Sequence, residues 1–389
     1  MNPFNRVRVV DFTTTIAGPH CTRLLADLGA EIIKIESPEG DLMRSRPPLR
    51  NGASTSFGQL NAGKKSVVLD LKQKPAVEIA RRLAVSADVV VENYRPGVMR
   101  RFGLDHGTLK SAKPDLIYCA ISGYGQTGPS AELPAYAPVI HAASGFDLAH
   151  LAHQEPGRRP DYCGIFIADV VTGTYAFGAI MTALYRRQAT GEGEVIDVSM
   201  LESMLSLTTS EIQLAQFEVP LPPRPIFGPV ATADGYVNLS VASERTFQSL
   251  AASCGREDWI TDPRFALYPD RRNNWGQLIE ELEVWSTART TAEVQTIFDR
   301  HGVPASPYRT VKQAMADPQL AHRQSFAEVH DRGGSFRALN PPFRFSGIEA
   351  AAQPFVAALG EHSEAVLAEL GYTADQIAAL KQAGIINAS

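Results

Sequence analysis

The chain has 389 residues, 44% of them hydrophobic and 20% charged, with a net charge of −5. That balance excludes a disordered chain and gives no electrostatic case for a nucleic acid or an anionic membrane surface as partner. The length exceeds what one ordinary core supports, so two domains are expected. Cys21, Cys119, Cys163 and Cys254 are far apart and form no CxxC pair, which argues against a zinc site and a disulfide framework. The first six residues lack the basic-then-apolar pattern of an export signal. No uncharged apolar run approaches the ~18 residues of a membrane span. A cytoplasmic protein with no membrane or nucleic-acid partner is the expectation.

In chain order, Arg8–Phe12 reads as a short buried strand, followed by a loop with Gly18 and then a helix over His20–Leu28 that ends at Gly29. Glu31–Glu36 is a second strand. Strand, loop, helix, strand is a βαβ unit, which implies a parallel sheet. Strands follow at Ser66–Asp70, Asp88–Glu92, Leu116–Ile121 and Glu194–Ser199, with an amphipathic helix over Pro75–Ser86. In open α/β sheets ligands bind outside the carboxyl ends of the strands. The loops at 13–20, 37–46, 93–101 and 122–136 are therefore candidate walls of one site.

After Ser199 a helical stretch is expected to about Phe217, then a proline-rich linker over 218–229. A smaller domain over 230–330 should hold a hairpin arm turning at Asp234-Gly235 and helices at Glu244–Cys254, Trp275–Ser286 and Thr291–His301. Residues 331–389 then return to the large domain, with helices at Glu361–Leu370 and Ala374–Ala383.

One carboxylate stands out. Asp169 lies inside the apolar run Gly164–Gly173, just ahead of helical spacing at Thr174–Arg187. A helix start favours negative charge and offers unpaired N–H groups. Two readings stay open from the residues alone: an N-cap aspartate, or a nucleophile shielded from water. Lys34, Arg44, Arg46, Lys64, Lys65, Lys72, Arg95, Arg100 and Arg101 cluster near the proposed loops. They are either a solvated face or a grip on a phosphate-bearing ligand. His141, His150 and His153 could face one another, yet no HxH or HExxH spacing supports a metal, and none is expected. A serine hydrolase would need a GxSxG elbow that is missing.

Several stretches together resemble the class III CoA-transferases, the CaiB/BaiF family: Val9–Thr13 with Ala17–Glu36, Asn61–Lys72, Glu92–Gly97 with Arg101–Leu104, Ile121–Pro129, Gly191–Ser199, Asp234-Gly235 and Leu359–Gly371. The resemblance runs through nearly the whole chain. It implies an α/β protein: a large Rossmann-like domain with a parallel sheet built from both chain ends, a smaller inserted α+β domain, and two chains interlocked as a homodimer. It also implies a CoA-transferase that takes acyl-CoA and a small carboxylic acid as substrates, holds no permanent cofactor, and has succinyl-CoA as one candidate donor.

The family's nucleophile aligns with Asp169, which would pass through an aspartyl anhydride and an aspartyl-CoA thioester. Lys72, Asn93, Tyr94 and Arg101 stand where the family grips CoA, Ala17 would line the pantetheine path, and Tyr136 would sit near the thioester. The formyl-CoA enzymes carry His and Gln where this chain has Thr14 and Ile16, and a glycine-rich loop that is absent around 218–240, which counts against an oxalate/formyl pair. The racemase branch carries a His-Asp pair where this chain has Tyr136-Ala137, so its base is missing. A 2-methylacyl-CoA racemase, an intramolecular CoA shift and a non-catalytic acyl-CoA-binding protein remain the alternatives to intermolecular transfer.

Overall fold

A computed structural model describes residues 4–151, 159–161, 163–217 and 227–386. Six strands form one sheet: β1 (Arg8–Asp11), β2 (Glu31–Glu36), β3 (Lys64–Val68), β4 (Val89–Glu92), β5 (Ile117–Ser122) and β6 (Glu194–Ser199). Every pairing is parallel and the order is β3-β2-β1-β4-β5-β6. Val or Ile recurs in every one of these strands, on both of their faces in most, because both sheet faces are covered, as a parallel sheet requires. On one face Val10, Ile33, Val90 and Tyr118 pack with Leu83 of a helix over Lys74–Ser86 and with Val366, Leu367 and Ile377 near the C-terminus. On the other, Val9, Ile32, Val91 and Cys119 pack with Cys21 and Leu25 of α1 (Ala17–Asp27) and with Ala176 and Ile180 of α2 (Ile167–Thr190).

The described residues divide into two compact units, 1–213 with 320–389, and 214–319. The sheet of the first takes no strand from the C-terminal end, contrary to the expectation of a sheet built from both ends. The C-terminal segment instead supplies a hairpin (Phe326–Asp331 with Gly334–Leu339) and the helices Ser363–Glu369 and Ala374–Gln382, whose apolar residues cover one sheet face. The second unit holds a three-stranded antiparallel sheet of Val230–Ala231, Tyr236–Leu239 and Ala305–Pro307, and helices Glu244–Cys254, Trp275–Ser286 and Thr291–His301 around Phe247, Trp259, Leu278 and Phe298. The stretch expected to be one helix to Phe217 breaks into Met200–Leu205 and Thr209–Leu214. Of the expected linker over 218–229, residues 218–226 lie outside the described residues. Among the described residues α2 alone has the length and apolarity to cross a membrane, with a mean hydropathy of 1.4. Ala176, Ile180, Ala183 and Leu184 of that helix are used against the sheet.

The strand order reverses between β1 and β4, which opens a crevice at their carboxyl ends. The loop after β1 is pinned from below by buried ions. Lys64 Nζ reaches Asp11 Oδ2 at 3.1 Å, Thr22 Oγ1 at 2.7 Å, Asn61 Oδ1 at 2.9 Å and the Pro19 carbonyl at 3.0 Å. Lys34 Nζ donates to the Thr13 carbonyl at 2.7 Å and pairs with Asp41 at 3.0 Å. Burial alone would raise the Asp11 pKa, but Lys64, Lys34 and two hydroxyls outweigh it and hold it at about 2. Burial pushes the Lys64 ammonium downward, with Asp11 acting against it. Of the two readings open for Lys34 and Lys64, a solvated face or a grip on phosphate, neither holds: both are buried and neutralised inside the fold. Arg44 is likewise spent on Glu36, and Lys65 on Glu31 and Glu369.

Removing one partner of a buried pair leaves an unpaired charge. Lys64→Met should lower stability by about 3–5 kcal/mol, whereas Lys65→Met, whose pairs are part-exposed, should cost at most about 1 kcal/mol. Denaturant midpoints of the two variants check this, and equal costs would contradict it.

Candidate active site

The first turn of α2 begins earlier than the spacing suggested. Phe166 is the N-cap and makes no side-chain cap bond, so Asp169 is the third helical residue and not the cap. The N-cap reading is thereby corrected. The helix start is supported elsewhere: buried His141 Nε2 accepts the Ala168 N–H at 3.4 Å, and its Nδ1 lies 3.5 Å from Asp147. His141 therefore supports α2 instead of facing a metal with its neighbours. His153 lies outside the described residues.

The N-terminal turn of helix α1 packs against α2 at this point. Its N-cap, Ile16, offers no side-chain bond, so the first N–H groups of α1 are left for other partners. A Cβ on Gly173 would stand 2.4 Å from the Ala17 carbonyl oxygen and 3.2 Å from His20 Cβ, so only glycine permits this crossing. Gly173 lies one turn beyond Asp169 on the same helix face. The crossing brings the Ala17 N–H close enough to the Asp169 carboxyl to lower its pKa. Burial outweighs that, and Asp169 is raised from 3.8 to about 6. Burial, with Arg23 and Lys64 adding to it, drives His20 down to about 4. His20 is thus neutral near pH 7 and brings no charge to Asp169.

A cavity of about 310 Å³ opens over these groups. Asp169, Ala17, Asn93, Tyr94 and Tyr136 all line it, and each of the four loops expected as walls contributes. The Asn93 amide is engaged: it accepts from the Thr14 N–H and donates to the Thr14 carbonyl, both at 2.9 Å, stitching the β1 and β4 loops together. Tyr136 is 67% exposed at the rim. Lys72 and Arg101 are not among the lining residues and stand exposed on the surface. Among the described residues, Arg46, Lys72, Arg95, Arg100 and Arg101 keep side chains without an ion-pair partner. They are what remains of the expected basic cluster.

Arg95 of that cluster lines the cavity, and so do Phe166, Met200, Leu42 and Thr15, which were not singled out from the sequence. Gly173 could have been: it is a small residue one turn after a buried carboxylate. A backbone donor beside a desolvated carboxylate, at the wall of a cavity of mixed polar and apolar lining, suits acyl chemistry.

The sequence pattern of CoA-transferase family III matches residues 4–363. The chain belongs to that family. The transferase is 33% identical to the succinyl-CoA–D-citramalate CoA-transferase of Chloroflexus aurantiacus, over 99% of this chain and 98% of that one. It is 32% identical to the succinyl-CoA:glutarate CoA-transferase of Mus musculus, over 99% of this chain and 91% of that one. A probable fatty acyl-CoA transferase of Mycobacterium tuberculosis is 31% identical over 94% of this chain and 98% of its own. Its crystal structure matches the transferase with a TM-score of 0.84, covering 94% of this chain and 99% of that one.

The raised pKa of Asp169 has a stability consequence. Between pH 3.8 and about 6 the folded state holds a proton that the unfolded state has lost. Stability therefore falls as pH rises through that window, and the full penalty is present above it. Asp169→Asn should make the transferase more stable by about 1–3 kcal/mol at pH 8, with the gain vanishing below about pH 4. Denaturant titrations at both pH values check this, and a variant less stable than the native protein at pH 8 would contradict it.

Proposed function

We propose that the transferase moves CoA from an acyl-CoA donor to a carboxylic acid, with Asp169 as the covalent carrier. The observation that supports this most directly is a desolvated carboxylate facing a backbone N–H inside a cavity lined by Ala17, Asn93, Tyr94 and Tyr136, four of the positions the family resemblance assigns to CoA. In this reading an Asp169 oxygen attacks the thioester carbonyl, the carbon–sulfur bond breaks, and CoA leaves as thiolate. The thiolate then attacks the aspartyl carbonyl of the mixed anhydride, releasing the donor acid with one oxygen that began on Asp169. The acceptor carboxylate attacks the aspartyl-CoA thioester, and the steps run in reverse to give the new acyl-CoA. Splitting the exchange into such steps lowers each barrier.

The Ala17 N–H would stabilise the tetrahedral oxyanions formed at the aspartyl carbonyl. A carboxylate near pKa 6 is still ionised at pH 7 and is a better nucleophile for being poorly solvated. Neutral His20 leaves that charge uncompensated, which keeps the carboxylate reactive. Tyr94 and Ala17 would line the pantetheine path with Tyr136 at its end, and Asn93 would hold the two loops that frame it. Lys72 and Arg101, exposed and free of ion pairs, would hold the nucleotide phosphates as point charge and fork.

The same proposal includes an inserted small domain, an interlocked homodimer and a cytoplasmic setting. Exposed apolar side chains on α2, Val170, Tyr175 and Tyr185, favour a covering partner chain. The four cysteines are all free thiols, which fits a reducing compartment. Asp169→Ala should lower CoA transfer by about 10³-fold or more while leaving acyl-CoA affinity within a few-fold. Steady-state transfer assays and calorimetry on one preparation check this. Transfer surviving within tenfold would remove Asp169 from the mechanism, and a sedimentation mass of 42.2 kDa instead of twice that would remove the dimer.

A further inference from the structure

The first turn of α2 is held by a side chain from outside the helix. Its N-cap, Phe166, makes no side-chain bond, so the first N–H groups need partners from elsewhere. His141, on the short helix Ala137–Ala143, supplies one of them: its Nε2 accepts the Ala168 N–H at 3.4 Å. The ring is fully buried, and Phe146 meets it edge-on with centroids 5.5 Å apart. Ala168 is buried too, packed with Ile140, Met200 and Met204. The residue before Asp169 is therefore fixed both through its N–H and through its side chain.

A neutral imidazole carries one ring hydrogen. Nε2 can accept from Ala168 only when that hydrogen sits on Nδ1. Nδ1 lies 3.5 Å from Asp147 Oδ1, and a carboxylate at that side favours the hydrogen there. A ring with its hydrogen on Nε2 would set one N–H against another.

A carboxylate in the first turn of a helix can fold back onto the unpaired N–H groups of its own turn. With the Ala168 N–H taken by His141, Asp169 has one such donor fewer, and its carboxyl lines the cavity and meets the Ala17 N–H. We propose that His141, its tautomer set by Asp147, is a positioning residue for the transfer reaction: by accepting the Ala168 N–H it holds the Asp169 carboxylate at the cavity wall, within reach of the Ala17 N–H. The effect on rate rests on the reading of Asp169 as carrier. The effect on the surroundings of Asp169 does not, and it is measured without any substrate.

Three substitutions separate the two ring nitrogens. His141→Gln reaches the place of Nε2 and keeps an acceptor for Ala168. His141→Asn reaches only the place of Nδ1, and His141→Leu replaces neither nitrogen. The readout is the extra stability that Asp169→Asn confers at pH 8 over pH 4 in each background, taken from denaturant midpoints. Without the bond to Ala168 the first turn opens to water and the Asp169 carboxyl returns toward its ordinary pKa. That extra stability should then fall by about half or more in the Asn and Leu backgrounds and stay near its native size in the Gln background. Exchange of carbon-13 succinate into succinyl-CoA is the kinetic arm, since it needs no second acid. There kcat should fall about 10–100-fold for Asn and Leu, with KM for succinyl-CoA within about threefold, and recover for Gln. Extra stability unchanged in the Asn and Leu backgrounds, or lost equally in the Gln background, overturns the proposal. Failure of both the Asn and Leu variants to fold beside a native-like Gln variant makes His141 a structural post only and overturns it as well. The expected stability pattern with no exchange by the native protein upholds the positioning of Asp169 and counts against the transferase reading instead.

Discussion

The site depends on how closely two helices can approach. Helices α1 and α2 cross where a side chain on Gly173 would strike the Ala17 carbonyl oxygen. Any larger residue there has to push the start of α1 away. The start of α1 carries the N–H that faces Asp169, so the packing rule and the electrostatics of the site are one constraint. Gly18 adds to it: a Cβ at that position would stand 2.3 Å from Thr13 Cβ, so the loop after β1 folds back on itself only because position 18 is bare. Small residues are used here for proximity, at the cost in backbone entropy that glycine always carries.

A second layer keeps that loop from moving. Asp11, Thr13, Lys34, Asp41 and Lys64 are all at most 3% exposed and bonded into one web beneath it. Buried ion pairs are poor sources of stability, because desolvation cancels much of their attraction. Their value here is positional. Thr13 is bound through both its N–H and its hydroxyl to Asp11, at 2.8 and 2.5 Å, while its carbonyl receives Lys34. Asn93 ties the next residue, Thr14, to the neighbouring β4 loop. In the proposed reaction the Ala17 N–H would have to be in place before charge develops, and this web fixes the chain that leads to it.

Much of this was legible in the sequence. The strands announced themselves as Val and Ile runs, and Glu31–Glu36, Glu194–Ser199 and three helices of the second unit fall where periodicity put them. The four loops that wall the cavity followed from the rule that ligands sit at strand carboxyl ends. Other features were not legible, for physical reasons. Lys34 and Lys64 look like surface cations until the topology brings Asp11 and Asp41 to them, partners that no local spacing reveals. Asp169 resembled an N-cap because the true cap, Phe166, has no capping chemistry and the helix start rests on His141, 27 residues away. The hairpin at 326–339 was missed because its strands alternate weakly, and the C-terminal segment contributes cover to the sheet instead of a strand.

The central claim is that Asp169 exchanges its own oxygen with the acids it carries. Several turnovers with an acceptor acid labelled with oxygen-18 in both carboxylate positions, in ordinary water, test it directly. The protein is then digested and the peptide holding Asp169 weighed. If the carboxylate passes through anhydride and thioester, the bridging oxygen of the acceptor stays on the aspartate, and that peptide alone gains the mass of the label. Transfer that proceeds with the peptide unlabelled would contradict the account, because CoA would then be moving without a covalent passage through Asp169.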